Sequence, residues 1–194
     1  GRRLVPAVQL RLTLKSLAHD GLICGAKVDA WKRATVATSW TGQNSGEVTA
    51  LRLAAEGGCP KSMRSLGFSY RDGTRGLEKD TTHAFVWFQR AAALAEPTAT
   101  TAFGICYMKG GGVAQQVPRG IMEVTRAATL GSEHACFILG MANARGVYGL
   151  DISEVAARAW FGRMQKCTEC RDSTPTMRER AQAWLRDHPI HVDH

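Results

Sequence analysis

Lys109 stands directly before three glycines, Gly110, Gly111 and Gly112, and Cys167 and Cys170 bracket Thr-Glu. In both places residue type and spacing could do chemistry. A lysine beside a glycine-rich turn can cradle phosphate, and two thiolates at this spacing can hold zinc or cycle through a disulfide. A phosphate-binding loop needs a strand before the glycines, a helix directly after them and Lys-Ser/Thr at its end. Here the apolar spacing predicts a helix before the glycines, the lysine precedes them, and no Lys-Ser/Thr follows. The same loop recurs without lysine as GTRGL and GVYGL. No nucleotide site and no cofactor are therefore expected.

His188, His191 and His194 could complete a four-ligand zinc site with Cys167 and Cys170. Reach opposes this. A helix over residues 177–187 is roughly 16 Å long, and residues 171–176 span about 20 Å when extended, so the histidines return only along a straight antiparallel path. Two thiols at a helix end, a disulfide and a metal site all stay open. Thioredoxin-like chemistry would need a strand context that is absent. His83 lies near Trp87 in a predicted helix and reads as a structural or surface residue. No Ser/His/Asp order and no paired carboxylates stand out, so no catalytic residue is expected.

The elements that must position these residues are set by bulk and period. The 194 residues fit one domain or one short repeat array, and 44% are hydrophobic, enough for a core. No run of about 18 apolar residues occurs, so no transmembrane segment is expected. The formal charge is +8, with 18 arginines, and residues 1–50 hold seven Lys/Arg against three Asp/Glu. That basic start, with no methionine at Gly1, suits an anionic partner or the remnant of a targeting segment for a mitochondrion or plastid. A solvated surface of a cytoplasmic protein is the plainer reading. No signal-peptide pattern is seen. Six scattered cysteines do not make a disulfide framework, which favours a reducing compartment.

The chain repeats itself. SLGFSYRDG (65–73) returns as AFGICYMKG (102–110) and as ILGMANARG (138–146). Gly67, Gly104 and Gly140 align at offsets of 37 and 36, as do Gly73, Gly110 and Gly146. Trp87 and Phe88 fall on Trp160 and Phe161, while the middle copy has Glu123 in place of the tryptophan. A period of 36–37 residues means a unit of two helices. Ser62, Leu66 and Tyr70 form one stripe of the first helix, and the small residue after Leu66 admits a close neighbour. A glycine then ends that helix. His83, Ala84, Trp87, Phe88, Ala91 and Ala92 form a stripe of the second, with the aromatics in the core.

This pattern resembles the Sel-one-like repeat, a relative of the tetratricopeptide repeat. The first copy carries Ser62, Leu66, Gly67, Tyr70, Gly73, Asp80, Ala84, Trp87, Phe88, Ala91 and Ala92. The second keeps Ala99, Gly104, Tyr107, Gly110, Gly112, Val113, Ala127 and Ala128. The third keeps Ala135, Leu139, Gly140, Gly146, Ala157, Trp160 and Phe161, with Asn143 for the tyrosine. The resemblance implies an all-α fold, an α-solenoid of stacked helix–turn–helix repeats. We divide the chain into an N-terminal helical extension or degenerate repeat (1–45), the repeat array (46–166), and a C-terminal capping helix and tail (167–194). Over 6–19, Val8, Leu10, Leu12 and Leu14 alternate like a strand while Leu10, Leu14 and Leu17 suit a helix, which Pro6 and Gly21 favour, and residues 22–38 fit a degenerate first helix with Trp31 in its core. Asn44 with Glu47, and Thr176 with Glu179, read as capping boxes. Met177, Ala181, Trp184 and Leu185 make the apolar face of the closing helix.

The resemblance also implies function: a non-enzymatic scaffold for other protein subunits, with first helices lining a concave groove. Positions that vary between copies at one helical face are then candidate partner contacts. These are Asp72, Lys109 and Arg145 at the first-helix end, Arg71, Met108 and Ala144 one residue earlier, and Arg64, Thr101 and Phe137 earlier still. An accessory subunit of an organellar complex fits. The alternatives are an RNA-associated repeat protein within a ribonucleoprotein, and a thiol or zinc activity at Cys167 and Cys170. Against RNA, the aromatics fall at core positions and no one-base-per-repeat code is visible.

Overall fold

The computed structural model describes residues 45–166 and 174–189. The predictions on residues 6–19, Trp31, Asn44, Cys167, Cys170, His191 and His194 lie outside them. The described residues form eight α-helices and no strand. Two compact units divide at Leu94/Ala95. The first holds α1 (Ser45–Glu56), α2 (Pro60–Asp72) and α3 (Thr81–Ala93). The second holds α4 (Pro97–Lys109), α5 (Val117–Thr129), α6 (Glu133–Arg145), α7 (Glu154–Lys166) and α8 (Pro175–Asp187). None of these helices is long and apolar enough to cross a membrane.

Local chemistry places the helix ends. Pro60, Pro97 and Pro175 open α2, α4 and α8, where a missing N–H is no loss. Asp80 caps α3 by accepting from the N–H groups of Thr82 and His83, each at 2.9 Å. The first helix of each repeat stops at Gly73, Gly110 or Gly146, with φ of 66°, 75° and 64°. That left-handed cap lets the glycine N–H return to a carbonyl four residues back. At α8 the cap is Thr174, whose Oγ1 accepts from Met177 N at 3.3 Å, and not Thr176 as the sequence predicts. Pro175 at the first helical position moves the start two residues upstream.

In the first unit α2 packs on α3 through Gly67. A Cβ at Gly67 would lie 2.6 Å from a Phe88 ring carbon, so only glycine admits that ring. Phe88 is fully buried, and burying such a side chain stabilises by about 1.5–3 kcal/mol. Leu51 and Ala55 of α1 are buried as well. Arg52 donates to the Tyr70 hydroxyl at 2.8 Å, so the half-buried tyrosine joins α1 to α2.

The second unit repeats this contact once and replaces it once. In the α6–α7 hairpin Gly140 receives Phe161, with 2.5 Å from an added Cβ to the ring. In the α4–α5 hairpin Gly104 faces Val124 and the backbone oxygen of Gly120, and an added Cβ at Gly120 would overlap Met108 and lie 2.7 Å from Gly104 O. Here two helices approach backbone to backbone. Ser132 accepts from Ala135 N at 3.1 Å and shares a buried 2.8 Å hydrogen bond with Thr101, which ties α4 to the start of α6.

Helix α8 closes this unit. Ala181 is buried, and Met177, Trp184 and Leu185 pack on the core. The Trp184 ring sits 5.2 Å from that of Phe161. Arg178 donates twice to one oxygen of Glu133, at 3.1 and 2.7 Å, and the Glu133 side chain is buried. The Arg158 guanidinium also donates to the backbone oxygen of His188. A capping helix of this kind covers the apolar face that the last hairpin cannot bury alone.

Candidate protein-interaction surface

The glycine-rich loop after Lys109 is a helix terminator. Gly110 N and Gly111 N both donate to Cys106 O, at 2.8 and 2.9 Å, and Gln116 N donates to Tyr107 O at 2.8 Å. The Gln115 side-chain amide donates to Met108 O at 2.7 Å. Two of the three glycine amides are thus spent on a carbonyl of α4, and the loop sits at the negative end of a helix, which repels anions. Lys109 itself is exposed and complements that end.

The candidate contact row divides by burial. Arg71, Asp72, Lys109 and Arg145 are exposed, and Arg64 is half-buried. Met108 and Phe137 are 5% and 7% exposed and belong to the apolar core, and Thr101 is buried too. Variation between copies at Met108 reflects repacking: its side chain lies against Gly120, where the other hairpins have Ala84 and Ala157. Asp72 is held by Arg71 through two hydrogen bonds of 2.8 and 2.9 Å. Those bonds keep its carboxyl below the usual range, opposed by burial and helped by the charges of Arg71 and Lys79. Lys109 and Arg145 make no ion pair among the described residues.

His83 is exposed, in keeping with its reading as a surface residue. Its ring stacks on Tyr70 at 5.3 Å, and Nδ1 lies 2.6 Å from Asp80 Oδ2. Hydrogen bonds from the His83 backbone and then its side chain hold the Asp80 carboxyl below the usual range. This is a helix cap with an aromatic buttress. His188 stacks on Trp184 at 4.2 Å, and its Nδ1 lies 2.9 Å from Trp184 O. No cluster of three His, Cys, Asp or Glu able to hold a metal occurs among the described residues. Cys59, Cys106 and Cys136 are thiols.

One concave feature brings candidate residues together. In the second unit a cleft of about 210 Å³ opens between α6, the α6–α7 loop and α8. Phe137, Ile138 and Met141 line it from α6, and Val147 and Tyr148 from the loop. His134, Arg145 and Arg180 contribute its basic groups, and the Arg180 guanidinium lies 5.4 Å from the Phe137 ring centre. Sequence reasoning picked Phe137 and Arg145 and missed Tyr148 and Arg180. Register held a signal for the tyrosine, because Thr74 and Arg75 of the first copy become Val147 and Tyr148 in the third.

Stacked helical hairpins with glycine-capped first helices define an α-solenoid of the tetratricopeptide-like class. Within that class, residues 60–95 and 133–164 match the Sel1 repeat, so those two segments of the chain carry that repeat. It is 32% identical over 71 residues to the ERAD-associated E3 ubiquitin-protein ligase component HRD3A of Arabidopsis thaliana, covering 37% of this chain and 10% of the plant protein. A Sel1 repeat protein from Oxalobacter formigenes superposes with a TM-score of 0.60 at 26% identity, over 66% of this chain and 51% of that one. The antigen c5321 of uropathogenic Escherichia coli strains superposes with a TM-score of 0.62 at 23% identity, over 86% of this chain and 34% of that one, and shares the fold. This chain therefore spans about half of the Oxalobacter structure and about a tenth of the plant protein. Sel1-repeat proteins are typically scaffolds for protein–protein interaction and generally non-catalytic.

Proposed function

We propose that this chain is a non-enzymatic adaptor that holds other protein subunits in a multiprotein assembly. Its contacts would come from the exposed first-helix ends, with Arg71, Asp72, Lys109 and Arg145 foremost and Arg64 beside them. One observation carries the reading. At matched register the buried pairs Gly67/Phe88 and Gly140/Phe161 are kept, while the exposed positions Asp72, Lys109 and Arg145 change charge from copy to copy. Fixed packing beneath varied surface residues gives a preformed face with little ordering cost on binding. The plant relative is by its name a component of a larger ligase, which supports a subunit role. The basic, acid-poor first fifty residues support an organellar assembly, mitochondrial or plastid.

Affinity purification of the full chain from the cells that make it, at low and moderate salt, tests the proposal. Defined protein subunits are expected at both salt levels. Recovery of no protein partner, or of RNA whose binding falls steeply with salt, would replace the adaptor with another role.

A further inference from the structure

The first and third hairpins share a loop backbone and use it differently. Gly73, Arg75 and Gly76 have φ of 66°, 56° and 76°, and Gly146, Tyr148 and Gly149 have 64°, 62° and 78°. In the first hairpin Arg75 donates to Ser69 Oγ at 2.7 Å and pairs with Glu47 at 3.1 Å, so the loop is tied to its own unit. In the third, Tyr148 occupies the same left-handed position, one a bulky aromatic rarely adopts, and is 44% exposed. Further along that loop and helix, Lys79 and Thr82 give way to Ile152 and Val155, which are 75% and 81% exposed. With Thr74, which becomes Val147 at 38% exposed, four polar positions of the first copy have become apolar or aromatic and open to solvent.

Tyr148 stands at the cleft over Phe137 and Met141, with Arg145 and Arg180 also lining it and no Asp or Glu among the lining residues. Neither arginine makes an ion pair among the described residues. A volume of about 210 Å³ falls below the roughly 300–1,000 Å³ of small-molecule sites and suits one large side chain. A buried apolar anchor with charged neighbours is how a few residues carry most of a protein interface. Building on the adaptor reading, we infer that this cleft captures an acidic peptide segment of a partner protein. One Leu, Phe or Trp of that segment fills the apolar floor, and flanking carboxylates pair with Arg145 and Arg180. The floor is aliphatic and thioether with Phe137 buried beneath Arg180, and Tyr148 is the single exposed ring among the lining residues, too few aromatic faces to stack successive bases, which favours a peptide.

Fluorescence anisotropy tests this with labelled peptides carrying one Leu, Phe or Trp between Asp and Glu residues. Lysine-flanked versions and a short oligouridylate serve as controls. The full chain is compared with Arg145→Gln/Arg180→Gln and with Tyr148→Asn, which keeps a residue that tolerates positive φ. All three substitutions are at exposed positions, and circular dichroism checks that helix content is unchanged. Acidic peptides are expected to bind, and each variant to weaken them about tenfold. The inference is overturned if no acidic peptide binds, if the variants bind equally well, or if only the uridylate is lost with the arginines. Affinity purification separates the two readings. Partners captured equally by wild type and the double variant overturn the cleft and leave the adaptor. No partner with wild type overturns the adaptor, and the peptide titration still decides the cleft.

Discussion

The middle hairpin, α4–α5, solves the same packing problem as the hairpins before and after it by the opposite means. In α2–α3 and α6–α7 a large ring, Phe88 or Phe161, fills the space beside a glycine. In α4–α5 that ring is Val124, and Gly120 replaces the alanine one turn earlier, so the two backbones close on each other. Subtracting volume from one helix and moving it inward conserves density, which cores require. The repeat model matches residues 60–95 and 133–164, so the hairpin that lies outside the matched segments is the one that changed its packing chemistry. Architecture survives because the hairpin needs a filled interface, and ring or glycine can supply it.

The comparison can be broken by substitution. Phe88→Ala and Phe161→Ala should each cost about 3–5 kcal/mol in denaturant unfolding, because a fully buried ring leaves a cavity. Val124→Ala should cost less, about 2 kcal/mol. If Val124→Ala costs as much as the phenylalanines, the middle hairpin is not held by backbone approach. Gly120→Ala should destabilise by about 1–3 kcal/mol through overpacking against Met108 and Gly104. Gly162→Ala on α7, where an added Cβ meets nothing within 4 Å, should instead stabilise by about 0.5–1 kcal/mol. A shared sign for the two glycines would remove the close-approach argument.

Much of this was legible in the sequence. The period placed the glycine caps, the small residue after Leu66 as a point of close approach, and Phe88 and Phe161 in the core, because each is local to one repeat; that Gly67 receives Phe88 and Gly140 receives Phe161 is visible only in the structure. It failed where the partner comes from elsewhere. Met108 varies between copies, which marks it as a candidate partner contact, but it is buried against Gly120. Phe137 is buried with Arg180 over its ring, a residue of the separate helix α8. The cleft joins Arg145 and Arg180, whose proximity no spacing rule reports. Thr174 took the cap from Thr176 because Pro175 is best placed at a first helical position.

Two smaller effects sharpen the account. Ser132→Ala removes the cap of α6 and its buried hydrogen bond to Thr101, and should lower stability by about 1–2 kcal/mol. Asp80→Asn keeps a capping oxygen in α3 but removes the charge. The Asp80 carboxyl is held below its ordinary value, so its contribution is present above that value, about 4, and disappears as pH falls through the lower folded value. Thermal unfolding of wild type should therefore exceed that of the variant at neutral pH, and the gap should close in acid.

The central claim is that buried pairs make the fold and exposed first-helix ends make the contacts. Quantitative affinity purification of wild type against Asp72→Ala/Lys109→Ala/Arg145→Ala, with unfolding measured in parallel, tests it most directly. The account predicts stability within about 0.5 kcal/mol of wild type and a loss of co-purifying protein subunits. The same subunits recovered at the same yield from the variant would contradict it.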